Sequence, residues 1–255
     1  MRLTAVAFEN FPEVKPNSNL TKFIFDVALD EEWAWLDGDI IVIAQKIISK
    51  SENRFVYLPD VNPGSQAEKY SKITGKDPRL IELILSESEK VLRTRKGLII
   101  VQHKLGFICA NAGIDHSNVN GESGRLEDWV LLLPKNPDQS ATIIRNEIQS
   151  RTGKKIGVII IDSHGRPWRR GIVGLAIGSS GVPVVVDRRG TKDRYGYQLK
   201  ATEIGSIDEL AATASILMGQ TDEGRPVVVI RGFPYSLEEG NFSEILRNES
   251  DDLFR

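Results

Sequence analysis

Short apolar runs rich in β-branched residues recur along the chain and predict its strands. A continuous run of about four to eight such residues, bounded by turn residues, is typical of a buried strand. The clearest lie at residues 156–161 and 40–44. Further runs predict strands at residues 3–8, 97–101, 107–110 and 227–230.

Apolar residues at helical spacing predict helices between these strands. Ser65 with Glu68, and Ser206 with Glu209, form the pattern of a capping box, whereas Asp77 before a proline is typical of an N-cap. The predicted helices are residues 20–29, 65–75, 77 to about 93, 138–153 with Ile143, Ile144 and Ile148 on one face, and 206–218. Because strands and helices do not alternate strictly, the pattern favours the α+β class.

Polar side chains follow the predicted strand at residues 156–161. Asp162 and Ser163 are expected at its end, and a cationic loop with Arg166 and Arg169 comes next. A hard oxygen ligand beside guanidinium groups suits a phosphorylated substrate held through a divalent ion. The glycines at 171, 174, 178 and 181 would let the backbone come close to a ligand. The alternative is an Asp turn with arginines on a solvated face.

Two other strands are also followed by polar residues. After residues 107–110, Asp115 and Asn118 lie in a short polar loop that offers oxygen ligands for Mg²⁺ or Mn²⁺, although an Asx-rich turn has the same composition. After residues 40–44, Lys50 is a candidate phosphate or carboxylate contact, the alternative being an amphipathic helix with solvated lysines. Residues 120–129 form a predicted surface loop.

Composition narrows the function classes. The formal net charge of -2 indicates no nucleic-acid partner, and no apolar run is long enough for a membrane span. The start of the chain lacks a secretory pattern, so the expected location is the cytoplasm. The lone Cys109 excludes an intrachain disulfide, and the three histidines lack zinc-site spacing. Neither of the two common phosphate-loop motifs, GxxxxGK[ST] and GxGxxG after a strand, is present.

Six motifs in order resemble the F420 gamma-glutamyl ligase family, the coenzyme F420-0:L-glutamate ligases. They are DGDIIVIAQKIISK, ANAGIDHSNV, LLLPKNPDQSA, VIIIDSHGRPWRRG, VGLAIGSSG and MGQTDEGRPVVVIRG. The resemblance implies a GTP-dependent ligase that adds L-glutamate to the lactyl-phosphate carboxylate of coenzyme F420-0, and then further gamma-linked glutamates. It also implies a mixed-sheet, two-domain α+β subunit in an intertwined homodimer, with the nucleotide and divalent metals in a groove at the dimer interface.

The family motifs can be carried over position by position. They imply two ions, Mg²⁺ or Mn²⁺, on Asp115, Asp162, Ser163 and Gln220, with K⁺ as an additional ion. GTP contacts would fall on Phe11, Pro12, Glu13, Val14, Gln45, Lys46, Lys50, Asn118, Met218, Gly219, Gln220, Thr221, Asp222, Glu223, Gly224 and Arg225. The catalytic region would cover residues 1–235 as two interleaved subdomains, and residues 236–255 would form a charged, frayed tail.

Acyl-phosphate chemistry is the mechanism expected from this resemblance. The acceptor carboxylate would attack the γ-phosphate of GTP, and the glutamate amine would then displace phosphate. Asp115 and Asp162 would act through metal ions, whereas Lys50, Arg166 and Arg169 would neutralise the anions. Two alternatives stay open: a GTP-dependent ligase or phosphotransferase acting on another carboxylate, and a non-catalytic nucleotide-binding protein.

Overall fold

The computed structural model describes residues 1–121 and 124–254. In chain order its strands are β1 (Thr4–Ala7), β2 (Ile40–Ala44), β3 (Phe55–Tyr57), β4 (Ser88–Arg95), β5 (Leu98–His103), β6 (Ile108–Ala110), β7 (Trp129–Leu131), β8 (Gly157–Gly165), β9 (Ile172–Ser180), β10 (Val186–Asp187), β11 (Glu203–Ile204) and β12 (Val227–Arg231). Its helices are α1 (Leu20–Asp30), α2 (Gln45–Ser51), α3 (Ser65–Thr74), α4 (Pro78–Ser86), α5 (Pro137–Thr152) and α6 (Ser206–Met218).

A five-stranded mixed sheet forms the centre of the protein, in the order β1-β12-β2-β8-β9. Strands β2 and β8 are parallel, and the other neighbours are antiparallel. The apolar runs at residues 40–43, 158–161 and 227–230 are buried, as predicted for central strands. A separate antiparallel sheet, β4-β5-β6, lies against this core. The mixture of parallel and antiparallel pairs agrees with the α+β expectation.

The strand predictions are confirmed, but the predicted helix from residue 77 to about 93 is wrong beyond Ser86. Helix α4 ends there, and β4 begins at Ser88. Val91 pairs with the buried Val101 of β5 in an antiparallel ladder. An apolar spacing compatible with a helix therefore yields to cross-strand pairing, because strand preference depends on tertiary neighbours.

The predicted capping boxes at Ser65 and Ser206 are also wrong. Both serines are the first helical residues, and the N-caps are Gly64 and Gly205. The Ser206 hydroxyl instead donates to the carbonyl oxygen of Pro183, which ties α6 to the preceding loop. The Asp77 N-cap is confirmed, since its carboxylate accepts from the Arg79 N–H at 2.8 Å.

Two further expectations need correction. Ile143 is 58% exposed and does not share the buried face of Ile144 and Ile148. The tail is not frayed at its start, because Phe242 is buried against the ring of Phe107 at a centroid distance of 6.0 Å. In the predicted loop at residues 120–129, residues 122 and 123 lie outside the described residues, and residue 129 begins β7.

Strand β8 runs through Asp162 and Ser163 to Gly165, so these two residues lie within the strand rather than past its end. The reason is its partner: Asp162 pairs with Leu175 and Ser163 with Gly174 of β9. The close approaches at the β9 glycines are to the protein's own helices. A Cβ on Gly174 would lie 2.6 Å from the Cβ of Ser215 in α6, and a Cβ on Gly178 would meet Pro137 of α5.

Candidate active site

A cavity of about 1560 Å³ is lined by the end of β2, the start of α2, strand β8 and the turn after α6. Its walls also include one face of β4-β5-β6 and part of the tail. Each candidate residue from the sequence lines this one cavity, although the roles assigned to them stay predictions: Phe11, Pro12, Glu13, Val14, Gln45, Lys46, Lys50, Asp115, Asn118, Asp162, Ser163, Arg166, Arg169, Met218, Gly219, Gln220, Thr221, Asp222, Glu223, Gly224 and Arg225.

Asp115 is fixed through both its backbone and its carboxylate. Its N–H donates to the carbonyl oxygen of Leu131 at 3.0 Å. Its Oδ2 accepts from Gln45 Nε2 at 2.7 Å and lies 3.3 Å from Lys46 Nζ. Burial raises the pKa of Asp115; Lys46 opposes this shift, and the nearby Asp162 carboxylate adds to it. The two carboxylates therefore repel each other in a poorly solvated place, which favours a cation between them.

The backbone before Asp115 takes an unusual path. Asn111, Ala112 and Gly113 are consecutive residues with φ of +53°, +52° and +65°. For Ala112 this left-handed conformation costs on the order of 1–2 kcal/mol, whereas asparagine adopts it more readily. Ala112 is completely buried. Packing of the surrounding core maintains this turn, and the turn sets the position of Asp115 beyond the end of β6.

Asp162 lies beside a histidine of the same strand. Nε2 of His164 is 2.9 Å from Asp162 Oδ2, although the ring N–H is not directed along that line. Burial alone would raise the pKa of Asp162, but the His164 ring, the Ser163 N–H and Lys46 outweigh it and lower the pKa below its usual value. Asp162 is thus held as a carboxylate.

Ser163 belongs to a chain of polar contacts that reaches α6. Its hydroxyl donates to Gln220 Oε1 at 2.8 Å, and Gln220 Nε2 donates to Ser215 Oγ at 3.0 Å. This chain aligns the amide oxygen of Gln220 with the Ser163 hydroxyl. Sequence motif and geometry agree in bringing these two residues together.

The turn after α6 binds the carboxylate of one of its own residues, Glu223. The N–H of Thr221 donates to Glu223 Oε2 at 2.8 Å. Hydrogen bonds from the backbone of Thr221, Glu223 and Gln220 lower the pKa of the Glu223 carboxylate. Successive backbone amides that converge on one carboxylate form an anion-binding nest. Asn118 Nδ2 donates to the Thr221 carbonyl oxygen at 2.8 Å and so connects this turn to the Asp115 loop.

Two lysines of α2 lie between these groups. Lys46 Nζ donates to the Ser117 carbonyl oxygen at 2.8 Å. Lys50 faces the cavity, and burial lowers its pKa, an effect that Glu13 opposes and Lys46 reinforces. An anionic ligand that binds beside this desolvated ammonium group would stabilise its charge. Arg166 and Arg169 lie at the tip of the β8–β9 hairpin, where Arg166 is half-buried and Arg169 is exposed.

The donor set suits a hard divalent cation. It comprises the carboxylates of Asp115 and Asp162, the Ser163 hydroxyl and the Gln220 amide oxygen. Among residues 1–121 and 124–254, no donor is recorded on Asp115 Oδ1, and no group of three His, Cys, Asp or Glu side chains could hold a metal. Mg²⁺ commonly binds through one or two carboxylates together with substrate phosphates, so two carboxylates are sufficient.

Sequence reasoning missed several cavity residues. His164 follows Asp162 by two positions, and this alternation along an extended strand could have placed both side chains on one face. Arg93 and Arg95 lie in β4, for which the sequence pattern predicts a helix as far as about residue 93 and so gives no sign of a cavity wall. Arg247 was missed because it lies in the tail.

Comparison with known proteins identifies the class. A family described as F420-0:Gamma-glutamyl ligase matches residues 10–232. The chain therefore belongs to this family and is an enzyme, a ligase that forms amide bonds.

Three relatives are each named coenzyme F420:L-glutamate ligase. The chain is 47% identical to the protein of Methanococcus maripaludis strain C6 over 219 residues, 86% of each chain. It is 40% identical to the Methanothermobacter thermautotrophicus protein over 257 aligned positions, covering all of both chains. It is 41% identical to the Methanopyrus kandleri protein, covering all of this chain and 98% of the relative.

None of the helices in the described part of the chain has the length and apolar character needed to cross a membrane.

Proposed function

We propose that this protein is a GTP-dependent ligase that joins L-glutamate to the lactyl-phosphate carboxylate of coenzyme F420-0 and extends the product through gamma-linkages. The observation that carries the proposal is the convergence of Asp115, Asp162, Ser163 and Gln220 with two lysines in one cavity of a family member. The description of the family names F420-0, and the names of the relatives contain coenzyme F420 and L-glutamate, which supports this acceptor and this amino acid.

The proposed reaction has two steps. A carboxylate oxygen of the acceptor attacks the γ-phosphorus of GTP, the bond to the β-γ bridging oxygen breaks, and GDP leaves. The amine of glutamate then attacks the acyl carbon of the mixed anhydride, phosphate leaves with the bonding pair, and the amine loses a proton. No side-chain nucleophile is required, because the acceptor itself supplies the nucleophile.

In the first step two anions must meet. Divalent ions, when bound, would offset the negative charge of the phosphate groups. Asp115, Asp162, Ser163 and Gln220 would hold these ions. Lys46 fixes Asp115 and the Ser117 carbonyl, whereas Lys50 is available to pair with a phosphate oxygen.

The nucleotide would lie along residues 11–14, the start of α2, Asn118 and residues 218–225. These segments line the cavity, and backbone amides of the turn after α6 hold the Glu223 carboxylate. Dependence on K⁺ and assembly into a homodimer with the site at its interface belong to the same proposal and rest on the resemblance to the family.

Mass spectrometry tests the proposal. A reaction with purified protein, F420-0, L-glutamate, GTP, Mn²⁺ and K⁺ should give a product heavier by one or more glutamyl units. The product should be absent when GTP or the metal is omitted. Release of GDP with another carboxylate, but no glutamylated F420-0, would support a different acceptor. GTP binding without GDP release would indicate a non-catalytic protein.

A further inference from the structure

One face of the β4-β5-β6 sheet forms a wall of the cavity. Because Arg93 pairs with Ile100 and Arg95 with Leu98, these four side chains share one face. Ile100 in turn pairs with Ala110 of β6. Alternate residues Ile99 and Val101 are buried on the opposite face. The cavity face is therefore an apolar strip with arginines along its edge.

The tail completes this wall. Ile245, Leu246 and Arg247 line the same cavity. Their position is fixed by Phe242, which is buried against Phe107, and by a capping box in which Asn241 accepts from the N–H of Ser243 and Glu244 accepts from the N–H of Asn241. We call Arg93, Arg95 and Arg247, with Leu98 and Ile100, the arginine wall.

In the described part of the chain, no carboxylate pairs with the guanidinium groups of the arginine wall. Within residues 1–121 and 124–254, no carboxylate lies within 4 Å of any of the three, and the recorded contact is from Arg93 to the neighbouring Leu92 carbonyl. Asp252 also lines the cavity and has interactions of its own. Three cations that have no carboxylate partner among the described residues lie beside an apolar strip, an arrangement that suits a molecule with an apolar body and anionic groups.

A short segment of chain joins the sheet of the arginine wall to the part of the cavity that contains Asp115 and Asp162. We call that part the carboxylate end. Strand β6 ends at Ala110, and the left-handed turn of residues 111–113 leads from there to Asp115. The segments proposed for GTP, at residues 11–14 and 218–225, belong to neither the β4-β5-β6 sheet nor the tail. The nucleotide and the arginine wall therefore approach the two carboxylates from different elements.

We propose that the arginine wall binds the acceptor: Arg93, Arg95 and Arg247 hold its anionic groups, and Leu98 and Ile100 contact its apolar part. This inference rests on the proposed function, since it takes F420-0 as the acceptor. Specificity for the acceptor would then depend on β4-β5 and on the tail, two segments that carry none of the family motifs recognised in the sequence.

The test uses the full chain with Arg95→Gln and Arg247→Gln, alone and together. Arg194→Gln is the matched control, because Arg194 is an exposed arginine that does not line the cavity. Loss of one charge-assisted contact should raise the KM for F420-0 roughly tenfold, and the double variant roughly thirtyfold or more. The kcat and the KM for GTP should change less than about twofold, and Arg194→Gln should match the wild type.

Calorimetric titration with F420-0 alone provides a readout independent of turnover. The dissociation constant should rise with NaCl in the wild type and less steeply in the double variant, since fewer charges are screened. An active wild type whose double variant keeps the acceptor KM, or raises the KM for GTP instead, overturns the arginine wall alone. A wild type that neither binds nor glutamylates F420-0 overturns the proposed function and the acceptor assignment with it.

Discussion

At one end of the cavity, protein donors lie beside the carboxylates of Asp115 and Asp162. At the other end, Arg93, Arg95 and Arg247 form no ion pair with any carboxylate of the described residues. The carboxylate end is partly buried, and hydrogen bonds connect it to α2, β7, β8 and α6. The arginine wall is exposed and built from a small sheet and the tail. The difference suggests that chemistry requires a rigid arrangement, while recognition of a large anion relies on charges left available for the ligand.

The largest expected effect is at the carboxylate end. Asp162→Asn keeps the size of the side chain but removes a charge that would hold a metal ion, so kcat should fall about a thousandfold or more. Thermal melting should show an intact fold. Asp187→Asn, at an exposed ion pair with Arg189, is the control and should keep its activity. A folded Asp162→Asn protein with near-normal turnover would refute the metal assignment.

The next effect concerns the anchor of the arginine wall. Phe242 is 6% exposed, and Phe242→Ala removes a buried ring, so the free energy of unfolding should fall by about 3 kcal/mol. For a chain of this size, each kcal/mol corresponds to a Tm change of roughly 2–4 °C. Phe254→Ala is the comparison, because Phe254 is half-exposed and its recorded ring contact is with the exposed Trp168.

Equal melting temperatures for Phe242→Ala and Phe254→Ala would show that the tail does not pack on Phe107 in solution. The arginine wall would then lose its anchor, and Arg247 would lose its fixed place in it.

A third prediction concerns His103, which supports both ends of the cavity because its ring packs on the ring of Phe107. The two rings are stacked at 5.2 Å, and Phe107 also contacts His164 and Phe242. Burial, aided by Arg54 and Lys104, lowers the pKa of His103 to about 4. The unfolded chain takes up this proton near its ordinary pKa of about 6.5. Unfolding is therefore progressively favoured as pH falls from about 6.5 to 4.

His103→Asn should flatten this part of the stability profile, with a difference of roughly 2–3 kcal/mol in the pH-dependent loss. Urea unfolding at pH 7 and at pH 4.5 measures it for both proteins. Since the variant also loses ring stacking, the comparison is between slopes and not between absolute stabilities. Parallel profiles would mean that His103 is already protonated in the folded protein.

The smallest expected effect separates nucleotide binding from acceptor binding. Lys50→Gln should raise the KM for GTP roughly tenfold, because one charge-assisted phosphate contact is lost, and should leave the KM for F420-0 nearly unchanged. Its matched opposite is Arg247→Gln, for which the acceptor KM should change. If both variants altered the same KM, the two ends of the cavity would not bind different substrates.

The carboxylate end could be predicted because polar residues follow long buried strands, a pattern visible around Asp115 and Asp162. Even there the extent of β8 was missed, since its continuation depends on pairing with β9. The arginine wall could not be predicted in the same way. Val91 and Leu92 fit a helical spacing as well as a strand, and the choice is made by the neighbouring strand β5.

The tail illustrates the same limit. Its charged residues resemble a solvated end, and a single phenylalanine, Phe242, decides its position by packing on Phe107. No local sequence pattern identifies these two rings as a contact, because they lie 135 residues apart in the chain (242 − 107). Contacts across such separations arise from the assembled core and not from local pattern.

The place of the tail has a practical consequence for handling the protein. Residues 245–247 line the cavity, and Phe254 rests on Trp168 at the tip of the β8–β9 hairpin. Because Phe254 itself lines the cavity, we expect an affinity tag or fluorescent fusion at the carboxyl end to impair activity more than one at the amino end. Met1 is fully exposed and does not line the cavity, so purification handles belong at the amino end.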